Sequence, residues 1–173
     1  RHSFWAGYAA PLLPPAAFEP VGISFVGASL ISPGAMESFE HRLPKDYSLR
    51  PLFLADRPLR EAGAPGVKNA KPEWTYNMLL KQGVRSCLEY AGSFDLKRAH
   101  AVSNPELSPH VEFVDMGGHG YARVRLTGDE MRTEFVCIPR PITRSDRADG
   151  GPLRYRVVHT ASLWKRGERP LLR

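Results

Sequence analysis

Three patterns predict an α+β chain, mostly antiparallel strands with one main helix. Residues 121–127 and 131–138 alternate in polarity on either side of Thr127-Gly128-Asp129-Glu130, the period of a half-buried antiparallel hairpin. Leu80, Val84, Cys87, Leu88 and Ala91 recur along one helical face. Among 173 residues there are 15 glycines and 16 prolines, which predicts many turns and long loops. This length is that of one domain. Hydrophobic residues at 42% and charged residues at 24% match a globular chain and exclude a disordered or collagen-like one. No run approaches the ~20 apolar residues of a membrane-spanning helix.

The elements follow in order. Residues 1–20 hold Pro11, Pro14, Pro15 and Pro20 and read as an irregular loop. The segment 21–31 is apolar on both faces and is bounded by Pro20 and Ser32-Pro33-Gly34, so it reads as a buried strand ending in a turn. Residues 35–72 carry Pro44, Pro51, Pro58, Pro65 and Pro72 without a matching repeat, which predicts a long excursion with short helical turns. The helix is expected over 73–91, with Pro72 at its start, Gly92 at its stop, and Gly83 costing roughly 1 kcal/mol against alanine. Ser93 would cap a second short helix over 94–102, ended by Asn104-Pro105.

From His110 the period turns to that of strands. Residues 111–116 form one, Gly117-Gly118-His119-Gly120 a turn, and 121–127 and 131–138 a hairpin. In 121–127, Ala122, Val124 and Leu126 face one way and Arg123, Arg125 and Thr127 the other. Closing the hairpin at Leu126–Met131 sets Arg123 opposite Glu134, a favourable cross-strand pair. Residues 153–163 give a last strand with Tyr155, Val157, His159 and Ala161 on one face. The C-terminal half is thus expected to be a β-meander.

The net charge of +6 favours anionic partners in general, but the basic residues are dispersed. Cys87 and Cys137, 50 positions apart, lack CxxC or CxxH spacing and read as small core residues rather than zinc ligands, with a single disulfide the other option. The six histidines show no HxH, HxxxH or HExxH spacing. His159 reads as a packed or surface histidine on a strand face, and His41, His100 and His110 as solvated. His119 stands between two glycines, where the backbone can approach a ligand closely. There is no GxSxG, P-loop or GxGxxG, and Ser3 has no nearby acid–base partner for a triad.

Three stretches in order resemble the C-terminal part of the alkaline phosphatase D (PhoD-like) metallophosphoesterases. His2-Ser3-Phe4-Trp5-Ala6-Gly7 resembles the end of that family's last metal motif, Gly-Asp-x-His followed by an aromatic, here beginning after the Gly-Asp. The ISFVGASLISPG run within 21–34 is similar to the strand and Ser-Pro-Gly turn after the metal histidine. Asn104-Pro105, the strand to Asp115, then Gly120-Tyr121 and Arg123-Val124, resemble the family's later strands. Residues 35–103 match less well and read as an excursion within a single unit spanning 1–173.

The resemblance implies part of an αββα sandwich with a dinuclear metal centre, iron and calcium being the family's metals. It implies hydrolysis of phosphate mono- or diesters, and a periplasmic or extracellular setting, although no signal-peptide pattern follows Arg1. His2 maps onto the metal histidine. Trp5, Ser32 and His119 are expected near the site. The family's other ligands would precede Arg1, so the chain is expected to be a C-terminal segment without activity of its own. The alternative from another class is a non-enzymatic module binding polyanions through Arg123, Arg125, Arg154 and Arg156. Tyr155 alone falls between two of those arginines, short of the interleaved run of aromatics that single-strand nucleic-acid binders require.

Overall fold

A computed structural model of the chain describes residues 2–12, 16–34, 36–38, 75–139, 144, 146–148 and 151–173. Among these residues it is an α+β arrangement of two three-stranded antiparallel sheets with a few short helices. The strands are β1 (Phe4–Ala9), β2 (Gly22–Val26), β3 (Val111–Asp115), β4 (His119–Leu126), β5 (Glu130–Ile138) and β6 (Tyr155–Ser162). The helices are α1 (Thr75–Gln82), α2 (Val84–Ser93) and α3 (Leu96–Ala101). The first sheet has the order β2-β1-β3 and the second β4-β5-β6. Among the described residues, no helix is long and apolar enough to cross a membrane.

The second sheet is a meander with the register expected of the hairpin. Leu126 pairs with Met131 and Arg123 with Glu134. The turn holds itself: Thr127 Oγ1 accepts from the amides of Asp129 and Glu130 at 3.3 and 3.1 Å. On β5, Phe135 and Cys137 point into the core, as does Tyr155 at the start of β6.

Strand β3 does not continue that meander. It leaves the second sheet and pairs antiparallel with β1, Phe4 against Asp115. Nothing in local alternation distinguishes the two choices, because a strand's period is the same in either sheet. The two sheets meet through Phe4, Ala6 and Phe113 from the first and Phe135, Cys137 and Tyr155 from the second. The rings of Phe4 and Phe135 lie 5.0 Å apart, and those of Phe113 and Phe135 5.7 Å. Such close aromatic pairs add roughly 0.5–1.5 kcal/mol each beyond burial.

Several other expectations are corrected. The segment 21–31 is not a buried strand: β2 is a short edge strand, and Val21 and Ile31 at its flanks are 64% and 85% exposed. The single helix over 73–91 is broken at Gly83, whose φ of +95° only glycine adopts without strain. Val84 and Leu88, expected on the buried face, are 55% and 48% exposed. Gly92 lies inside α2, and Phe94, at φ +53°, ends it by donating to Tyr90 O at 2.8 Å. Asp95 rather than Ser93 caps α3, accepting from the amides of Lys97 and Arg98. Strand β4 already starts at His119, and beyond Gly120 both its faces are exposed rather than one. The proline-rich excursion over 35–72 lies almost entirely outside the described residues, as does His41.

The helices form a small second core of Met78, Tyr90 and Ala99, with Leu96 against it. They reach the first sheet through α1. Lys81 Nζ donates to Glu112 O, and Ser108 Oγ donates to Leu80 O at 2.7 Å. This fixes α1 beside β3 and brings Asn77 to that strand's end.

Candidate functional site

The start of β1, Gly34 and Glu37, the end of β3 and the start of β4 converge at one end of the first sheet. The antiparallel pairing of Phe4 with Asp115 places His2 and Ser3 beside the turn that follows β3. Gly34 closes against both: a Cβ on it would lie 3.1 Å from His2 O and 3.4 Å from Met116 O. The Gly34 amide donates to Glu37 Oε2 at 2.7 Å, and Glu37 Oε1 lies 3.1 Å from His119 Nε2. Glu37 thereby ties the glycine turn to the histidine that opens β4.

His119 is 3% exposed, and its Nδ1 is buried without a hydrogen-bond partner among the described residues. His2 is exposed, with its backbone at φ +61°. A non-glycine residue in that region is uncommon. Ser3 is buried.

Beneath this surface lies a brace centred on Asp115, which is fully buried. Its Oδ2 accepts from Tyr155 Oη at 2.5 Å. Its Oδ1 accepts from the Gly117 amide at 3.0 Å and from Asn77 Nδ2 at 3.4 Å. Asn77 Oδ1 accepts in turn from the Met116 amide at 2.9 Å. Helix α1, the 115–117 turn and β6 are joined through one carboxyl group. Burial, and then the Asp115 carboxylate, hold the Tyr155 phenol well above its ordinary pKa. Both cysteines are free and buried. Burial pushes the Cys137 thiol up to about 12 and the Cys87 thiol up to about 11, so neither is a nucleophile near neutral pH.

The residues expected at the site separate. His2 and His119 both come to this end of the sheet. Trp5 does not: it leans along β1 toward Gly7 and His110, with its ring 5.9 Å from the His110 ring at the far end of β3. Ser32 is exposed and its amide donates to Ser29 Oγ at 2.9 Å; from this segment Gly34 and Glu37 reach the site. Glu37, Asn77 and the Asp115–Tyr155 pair were not foreseen. Glu37 falls in the irregular excursion, and Asn77 and Tyr155 meet Asp115 only through tertiary packing. The one local signal was an aspartate at a strand end followed by two glycines.

A metal centre does not fit these residues alone. Among the described residues, no group of three or more histidine, cysteine, aspartate or glutamate side chains could hold a metal ion. Asp115 spends both oxygens on protein donors, which leaves His2 as the exposed imidazole at the site.

The arginines of the polyanion alternative are unequal. Arg123 and Arg156 both pair with Glu134, Arg156 Nε at 3.1 Å. Arg125 stands directly across from Arg132. No protein-family model, curated protein or solved structure matches the chain.

Proposed function

We propose that this chain is the C-terminal segment of a PhoD-like metallophosphoesterase, and that its two sheets are part of that family's αββα sandwich. One observation carries the reading. Three stretches that resemble the family, far apart in the sequence, meet at one end of the first sheet: His2, the Ser-Pro-Gly turn at Gly34, and the turn between Asp115 and His119. Chance similarity in three unrelated segments gives no reason for them to meet.

In this reading His2 is the one metal ligand that the chain contributes, with iron and calcium the metals that the resemblance implies. A neutral imidazole suits a first-row metal, and calcium takes oxygen ligands. The resemblance puts the remaining ligands before Arg1, so in this reading the chain alone would be inactive, and no hydrolytic step is assigned to it. What its own residues do is structural. Glu37 fixes Gly34 and His119 against each other, and the Asp115 brace holds the turn beneath His2. The substrate would be a phosphate ester, and the family setting is periplasmic or extracellular.

The test begins with the codons upstream of Arg1. They are expected to encode Gly-Asp immediately before it, with further Asp-, His- and Asn-rich motifs in frame. Their absence ends the proposal. The chain alone should leave a chromogenic phosphodiester intact, and the longer chain should hydrolyse it until a chelator is added. His2→Ala in the longer chain should cost more than about 100-fold in kcat/KM, since even outer partners of metal ligands cost about 10–100-fold.

A further inference from the structure

The second sheet has two edges, and among the described residues they differ: β6 is covered by the chain's last residues, while β4 is approached only at Gly120 and Ala122, by Ser29 and Gly27. At β6 the chain's last residues lie along the edge: Arg173 exchanges amide and carbonyl bonds with Thr160 at 2.9 and 2.8 Å, and Leu172 bridges to Ala161. At β4 the Gly120 amide is turned outward to Ser29 O at 3.2 Å, while the Thr127 amide is turned inward to Glu130 O at 2.9 Å. With the two-residue period of a strand, the amides and carbonyls of Ala122, Val124 and Leu126 also face outward. Among the described residues nothing bonds to them. An open row of backbone donors and acceptors is a template for another strand.

The side chains on either side of that row differ in character. On the inner face Val124 and Leu126 extend past the first sheet and are 48% and 70% exposed. On the outer face Arg125 is paired in register with Arg132, both exposed, with neither in an ion pair among the described residues. Like charges directly opposite destabilise a sheet. The neighbouring Arg123 has Glu134 to neutralise it, and Arg125 has no equivalent. Glu130 shares this face at the hairpin end but forms no ion pair with either arginine.

We propose that the free edge of β4 takes up an extended acidic peptide segment as a fourth strand of the second sheet. Its backbone would complete the outward bonds of Ala122, Val124 and Leu126. Its side chains would alternate, acidic ones meeting Arg125 and Arg132 and apolar ones covering Val124 and Leu126. This is recognition by strand addition, in which the main chain supplies affinity and alternate side chains supply selectivity. A second copy of the chain fits poorly, because pairing β4 with itself sets arginine against arginine.

The probe is a fluorescein-labelled peptide of alternating valine and glutamate, titrated against the full chain at low salt and followed by anisotropy. Saturable binding that weakens with salt is expected, with none for the valine–lysine counterpart. Hydrogen exchange on the wild-type chain should show the amides of Ala122, Val124 and Leu126 slowed by the peptide. Val124→Pro removes one outward amide and spares the ladder to β5, so affinity should fall about tenfold. Arg125→Glu with Arg132→Glu should lose the acidic peptide and gain the lysine one. Equal binding of both peptides, unprotected amides, or no binding by the folded chain would each overturn the proposal. So would a dimer in sedimentation that Val124→Pro dissolves, since the edge would then serve a second copy.

Discussion

Among the described residues two carboxyl groups are withdrawn from water, and their partners differ in kind. Asp115 lies between the sheets, fully buried, and is met by neutral donors: a phenol, a backbone amide and a side-chain amide. Glu134, 7% exposed, lies on the outer face of the second sheet between Arg123 and Arg156. The arginine side chains are 66% and 48% exposed, so water shares their charge. The interior group joins elements distant in sequence, whereas the outer one joins adjacent strands. Where water is excluded, hydrogen bonds carry the structure and an unmade one is expensive. Where water reaches the partners, an ion pair contributes little.

The contrast can be broken by substitution. Asp115→Ala leaves the Tyr155 hydroxyl, the Asn77 amide and the Gly117 amide without their acceptor. It should cost about 3 kcal/mol or more in urea unfolding, and a loss under about 1 kcal/mol would show that the brace bears no weight. Tyr155→Phe removes one donor and keeps the ring, and should cost about 1.5–3 kcal/mol.

The interior should also respond to pH. His159 is 6% exposed among Phe25, Phe113 and Phe135, its ring 5.4 Å from that of Phe113, and burial lowers its pKa from 6.5. The unfolded chain therefore binds a proton that the folded chain resists. The contribution to stability is present above pH 6.5 and is lost as pH falls below it toward the lowered folded value. Unfolding midpoints measured from pH 7.5 to about 5 should show this loss, and His159→Phe should reduce it. The smallest effect belongs to the outer face. Glu134→Gln should cost about 0.5–1 kcal/mol, shrinking in high salt; a cost matching that of Asp115→Ala would erase the distinction.

How much was legible beforehand follows the same division. The Arg123–Glu134 pair could be placed because the hairpin turn is local and a two-residue period carries register from it. The inward faces of β5 and β6 were readable for the same reason. Asp115 could be seen only as an isolated acid, since Tyr155 and Asn77 lie 40 and 38 positions away. At the candidate site, His2 and His119 were singled out by motif and by flanking glycines. Glu37, which links the second of them to Gly34, carried no local signal at all.

The amino-acid sequence by itself determined the second sheet's meander, its turn and the small buried cysteines, because each depends on neighbours along the chain. It also set the apolar content that made two strands out of 21–31 and 111–116 plausible. Only the tertiary structure decided that β3 joins β1, that β2 is an edge, and that α1 stops at Gly83 beside β3. It alone brought His2, Gly34, Glu37 and His119 to one place. The physical reason is that periodicity specifies which face of a strand is apolar. It leaves open which partner, among several equally apolar ones, will cover that face.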